Sequence, residues 1–127
     1  MMSHTQKARL TLAATLLGVA AAGDVAAQQN PRSFVASPEI YKVLAQNEQF
    51  KVISVVWRPG QKDALHAHPA NAVYYLTDCS LRIYAPDGSF HDAQPKAGYA
   101  VVQAPIPGHV LENTGSNECR LVMFEPS

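Results

Sequence analysis

From Pro38 onward the chain alternates short apolar runs with turn residues, and no stretch keeps a helical period for long. EIYKVLA, from Glu39 to Ala45, reads as a first strand or a short helical turn. Phe50–Arg58 (FKVISVVWR) is rich in β-branched and aromatic residues and stops at Pro59-Gly60. The next runs are Ala64–His68, Ala72–Thr77 and Leu81–Ala85, the last closed by a Pro86-Asp87-Gly88 reversal. Phe90–Ala93, Tyr99–Gln103, His109–Asn113 and Cys119–Glu125 follow, separated by Pro95–Gly98, APIPG and TGSN. Eight or nine strands at this spacing in roughly 90 residues predict an all-β sandwich or barrel. A closed or double-sheet arrangement is favoured because it leaves few exposed edges.

The first 37 residues follow another pattern. Lys7 and Arg9 precede an apolar run from Leu10 to Ala22, and Val25-Ala26-Ala27 offers small residues for cleavage. That order is the one of a secretory signal peptide, and the run is too short for a convincing membrane span. The expected organisation is a signal peptide over 1–27, a flexible polar leader over 28–37, and one β-domain over 38–127. The expected location is the periplasm or the medium. In that oxidising setting Cys79 and Cys119 are free to pair.

Cleavage would remove Lys7, Arg9 and Asp24. Ten basic residues less two, against ten acidic less one, leave a net charge of −1. Such a balance gives no footprint for nucleic acid and no polybasic face for anionic lipid. The expected partner is a small molecule, with no nucleic acid and no membrane after cleavage, and a homodimer is left open.

The chemistry concentrates around two histidines. His66 and His68 are i and i+2 in a strand, so both imidazoles face one side. His109 opens a later strand after a Pro/Gly turn and is the third candidate. Strand alternation places His109, Leu111 and Asn113 on one face and Glu112 on the other; Asp63 is also off-parity with His66, so neither acid is expected as a ligand. Ala72, Tyr74 and Leu76 share a parity expected to face inward, which makes Tyr74 the one candidate catalytic side chain. Arg58 and Arg82 could receive a substrate carboxylate, although a solvated face is the commoner fate of such residues. There is neither a phosphate-cradling glycine loop before a helix nor a nucleophile elbow.

These residues resemble the two motifs of the cupins. The first motif has Gly, five residues, His-x-His, three or four residues, Glu, six residues and Gly. Here Gly60 is followed by five residues, His66-Ala67-His68, then Ala72 at the expected Glu and Cys79 at the expected Gly. The second motif has its counterpart in Gly98, Pro105, Gly108, His109 and Asn113, with a slightly short turn. The resemblance covers nearly all of 38–127. It implies a single-domain jelly-roll β-barrel in which His66, His68 and His109 converge on one divalent transition metal: Fe, Zn, Ni or Cu. It also makes the strands that carry Cys79 and Cys119 antiparallel neighbours.

Without the motif glutamate the ligand set resembles that of the three-histidine thiol dioxygenases. Three neutral imidazoles leave the metal its full double charge, which favours anionic or chelating ligands and acidifies bound water. The expected activity is metal-dependent oxygenation or Lewis-acid chemistry on a small metabolite. The alternatives are a non-catalytic module that binds a ligand or metal, and a metal-free structural cupin.

Overall fold

The computed structural model describes residues 29–127. The expected signal peptide, residues 1–27, lies outside them. A four-residue helix, α1 (Ser33–Ala36), precedes nine strands: β1 (Tyr41–Gln46), β2 (Phe50–Trp57), β3 (His66–His68), β4 (Asn71–Tyr75) and β5 (Leu81–Tyr84), then β6 (Phe90–Ala93), β7 (Ala100–Gln103), β8 (Ile106–Asn113) and β9 (Cys119–Pro126). EIYKVLA is therefore a strand from Tyr41 onward, with Glu39 and Ile40 in the turn that leads into it.

The strands form two antiparallel sheets, ordered β1-β2-β9-β4-β7 and β3-β8-β5-β6. Each sheet turns one face inward, and the parity of its strands sets the core. Ile53, Val55 and Trp57 come from β2, and Leu121 and Met123 from β9. Leu81 and Leu111 meet them from the opposite sheet. Gly60 and Gly98 hold φ of 76° and 85°, the left-handed region that a side chain disfavours, and so make the turns around the first and second histidine segments.

β4 and β9 are antiparallel neighbours, with Tyr75 opposite Leu121. The chain just beyond β4 therefore meets the start of β9, and Cys79 and Cys119 are joined by a disulfide there, with Cα atoms 5.0 Å apart.

The stretch expected as a flexible leader differs from that expectation. Residues from Asn30 onward are docked on the barrel. Asn30 Nδ2 donates to the Pro107 carbonyl at 2.9 Å, and the Ala67 amide donates to the Pro31 carbonyl at 2.8 Å. Arg32 makes a parallel bridge to Ala67, and Ser33 and Ser37 are buried. The reason is an open edge: β3 ends its sheet, and the incoming backbone satisfies it. The polar composition that read as disorder supplies those hydrogen bonds.

Candidate metal centre

His66 and His68 lie on β3, and their i, i+2 spacing sends both rings to the inside. β8 pairs beside β3 with His109 directly opposite His66. The three ring centroids stand 4.7, 4.7 and 5.2 Å apart. Each histidine offers one ring nitrogen, and these atoms lie within 4.8 Å of one another. Among the described residues, the expected trio is the group placed to hold a metal ion.

The surrounding hydrogen bonds select which nitrogens are available. His66 Nδ1 lies 2.7 Å from the Ala64 carbonyl, which can only accept, so Nδ1 carries the proton and Nε2 keeps its lone pair. His68 Nδ1 lies 2.7 Å from Glu125 Oε1, an ionised carboxylate that can only accept, so Nδ1 carries a proton there too and Nε2 is the nitrogen turned to the centre. Among the described residues, His109 Nε2 is buried without a hydrogen-bond partner. Burial pushes His66 down to about 4, against the bond to Ala64. Burial, and then the neighbouring His66 and His68, push His109 down to about 3. Both rings are neutral at pH 7, the form a metal needs.

Tyr41 points the same way. Its hydroxyl lies 2.7 Å from Asp63 Oδ2 and 3.3 Å from His66 Nε2. Burial, and then Asp63, raise the phenol well above its usual range, so it keeps its proton and donates it to the carboxylate. That leaves the phenol oxygen facing the His66 lone pair with no hydrogen between them. A cation near His66 Nε2 and His109 Nε2 would satisfy both the facing lone pairs and the orphaned nitrogen, so the donor set fits a metal.

Two acids missed by the sequence reading build the support. Asp63 is buried and accepts from Tyr41, from Trp57 Nε1 at 3.2 Å and from the Leu111 amide at 2.7 Å. Burial raises its carboxyl to about 6 despite those bonds, so it is ionised at neutral pH. Glu125 is buried on β9 and is held by His68 and by Arg32, whose Nη2 lies 2.6 Å from Oε2. Burial alone would raise Glu125, but these two partners hold it below its ordinary value. Glu112 accepts from Tyr84 at 2.9 Å.

The parity expected for β4 is reversed. Asn71, Val73 and Tyr75 point inward, while Ala72 and Tyr74 line a shallow hollow on the outer face with Val102 and Phe124. Tyr74 is half-exposed and does not reach the histidines' cavity. Tyr74 is thus withdrawn as a catalytic candidate, and Ala72 as the counterpart of the motif glutamate. Val73, separated from His68 by four residues as in the longer motif spacing, takes that inward place. β4 starts at Asn71, and the loop before it sets a phase that counting from His68 cannot supply.

A cavity of about 450 Å³ opens from the centre between the sheets. His68 and His109 face it, and Tyr41, Trp57, Val73, Tyr75, Tyr84, Phe90 and Met123 contribute most of its aromatic and apolar wall. Ser89, His91 and Gln103 add polar atoms, and among the described residues no Lys, Arg, Asp or Glu lines it. His91 and its neighbour Phe90 are both exposed and both line the cavity. Arg58 is exposed elsewhere, and Arg82 forms a surface pair with Asp92 at 2.8 and 3.1 Å, so neither receives a ligand here.

No family model and no curated protein matches the sequence. Solved structures do match. A cupin domain from Bordetella pertussis Tohama I superposes with a TM-score of 0.64 at 23% identity, over 78% of this chain and 97% of that one. A protein with a double-stranded β-helix domain from Klebsiella pneumoniae gives 0.55 at 21% identity, over 68% and 75%. The polyketide cyclase RemF from Streptomyces resistomycificus gives 0.52 at 20% identity, over 68% and 63%. Two antiparallel sheets in this order, closing around three histidines at the two motif positions, together with these superpositions give the chain the cupin fold.

Proposed function

We propose that this chain is an exported metal-dependent cupin enzyme that binds one divalent transition metal through His66, His68 and His109. Its substrate class is a small, uncharged, ring-sized molecule presenting an oxygen to the metal. The observation that carries the metal is the buried His109 Nε2 without a partner, set against two histidines whose Nδ1 protons are already committed. The substrate class is supported by the cavity wall, which is aromatic and apolar and lacks a charged side chain. An amino-acid substrate would bring a carboxylate and an ammonium with no partner there, which disfavours the chemistry of thiol dioxygenases acting on such molecules. A polyketide cyclase shares this fold.

The bound metal would act as a Lewis acid on the substrate oxygen, or as the redox centre for oxygenation where it is iron. The chain's own residues would hold the substrate ring between Tyr75, Tyr84 and Phe90 and exclude water from it. Export is supported by the basic-then-apolar start of the sequence and by the Cys79–Cys119 pair.

Purified protein, reconstituted separately with Fe(II), Zn(II), Ni(II) and Cu(II), tests the reading. One equivalent of metal and turnover of a neutral phenol or enol are expected. Failure of all four metals to bind would sink it. A second reading, binding without turnover, is favoured by the absence of a carboxylate among the cavity walls. Stoichiometric ligand capture with no product would select it.

A further inference from the structure

We propose that Arg32 and Glu125 are positioning residues for the metal centre, and that the segment Asn30–Arg32 acts as a brace that puts them in place. The proposal rests on the metal-centre reading above. Glu125 has a fully buried side chain, is outside the ligand trio and does not line the cavity. A buried carboxylate is costly unless it is paired, so its place needs a reason. Both of its oxygens are used. Oε1 takes His68 Nδ1 at 2.7 Å, and Oε2 takes Arg32 Nη2 at 2.6 Å.

The carboxylate fixes the His68 tautomer, aims Nε2 inward and strengthens it as a donor. It also delivers, one bond farther out, the negative charge that the motif glutamate would have supplied from β4, where Val73 stands. Arg32 balances that charge and holds the carboxylate in register.

Arg32 can do so because the chain before it clips both histidine strands. The Pro31 carbonyl takes the amide of Ala67, the residue between His66 and His68. Asn30 Nδ2 donates to the carbonyl of Pro107, two residues before His109. Gly108 leaves room for that clip: a Cβ there would stand 2.5 Å from Asn30 Nδ2. The brace thus touches β3 and β8 at the points where their spacing decides whether three nitrogens can share one ion.

The test uses the full chain with cobalt(II) as probe, in wild type, Glu125→Gln, Arg32→Met and Arg32→Lys. Chelator competition should show cobalt bound about 10- to 100-fold more weakly in Glu125→Gln and Arg32→Met. Arg32→Lys should recover most of the loss, and the cobalt visible spectrum should shift in the two weak variants. In the metal-free protein, ¹⁵N NMR should find His68 as the Nδ1–H tautomer in wild type and as a mixture in Glu125→Gln. Unchanged affinity and tautomer would overturn the proposal, and so would a lower melting temperature with affinity unchanged. If wild type binds no cobalt, the metal reading fails while the tautomer measurement still decides the brace. If Glu125→Gln does not fold, the two Arg32 variants carry the test, since that side chain is 35% exposed.

Discussion

At the scale of single residues, the three histidines were legible and their support was not. His66 and His68 announce themselves by spacing, because one strand period returns both rings to one face. Asp63 and Tyr41 carry no such mark; their roles arise from packing between strands distant in sequence. Replacing any one of His66, His68 or His109 by Ala should abolish stoichiometric metal binding, as two protein donors remain. Elemental analysis of dialysed variants checks this, and full occupancy in any of them would exclude that residue as a ligand. Position 73 gives a sharper test of register. Val73→Glu should add an inward carboxylate, tighten metal binding and alter the cobalt spectrum, whereas Ala72→Glu on the outer face should leave that spectrum as in wild type. The opposite pattern would restore the alignment of Ala72 with the motif.

At the scale of elements, strand existence was readable from apolar runs and turns, and phase was not. Counting from His68 puts Tyr74 inside, but the intervening loop shifts the phase by one residue and turns Tyr74 outward and Tyr75 inward. A one-residue slip exchanges the two faces of a strand, so this single error moved every candidate on it. β9 held a signal that could have been used. Cys119, Leu121 and Met123 share the buried parity, and Glu125 continues it, so a charged residue was due to arrive inside. The disulfide belongs to this scale too, because it ties the region after β4 to the start of β9 across 40 residues. Opening a loop of that length should cost about 4 kcal/mol in the chain-entropy account. Chemical denaturation of the Cys79→Ala/Cys119→Ala double variant measures it. A loss near zero would mean that the strand pairing alone holds these ends.

At the scale of the whole molecule, burial of the metal-free site makes stability depend on pH, and the sign follows from which state binds more protons. His66 and His109 have an ordinary value of 6.5, which burial lowers to about 4 and about 3 in the fold. Between those limits the unfolded chain takes up protons that the folded chain refuses. Their contribution is therefore complete above pH 6.5 and is lost as pH falls, by about 1.4 kcal/mol per pH unit for each group. Asp63 opposes them. Its value rises from 3.8 to about 6, so in that window the folded state holds the extra proton and acidification favours folding at a similar slope. Two histidines against one aspartate leave a net loss between pH 6 and pH 4 equivalent to one group. Glu125, lowered by His68 and Arg32 against its burial, adds to the loss as pH falls below its ordinary value of 4.5. Bound metal holds the imidazoles unprotonated, so the loaded protein should resist acid until protons displace the ion. Urea midpoints of metal-free protein at pH 7, 6 and 5 should fall steadily, and His109→Leu should flatten the decline by removing one of the two contributors. A midpoint unchanged from pH 7 to pH 5 in the metal-free protein would mean that these imidazoles are not the buried neutral bases on which the centre depends.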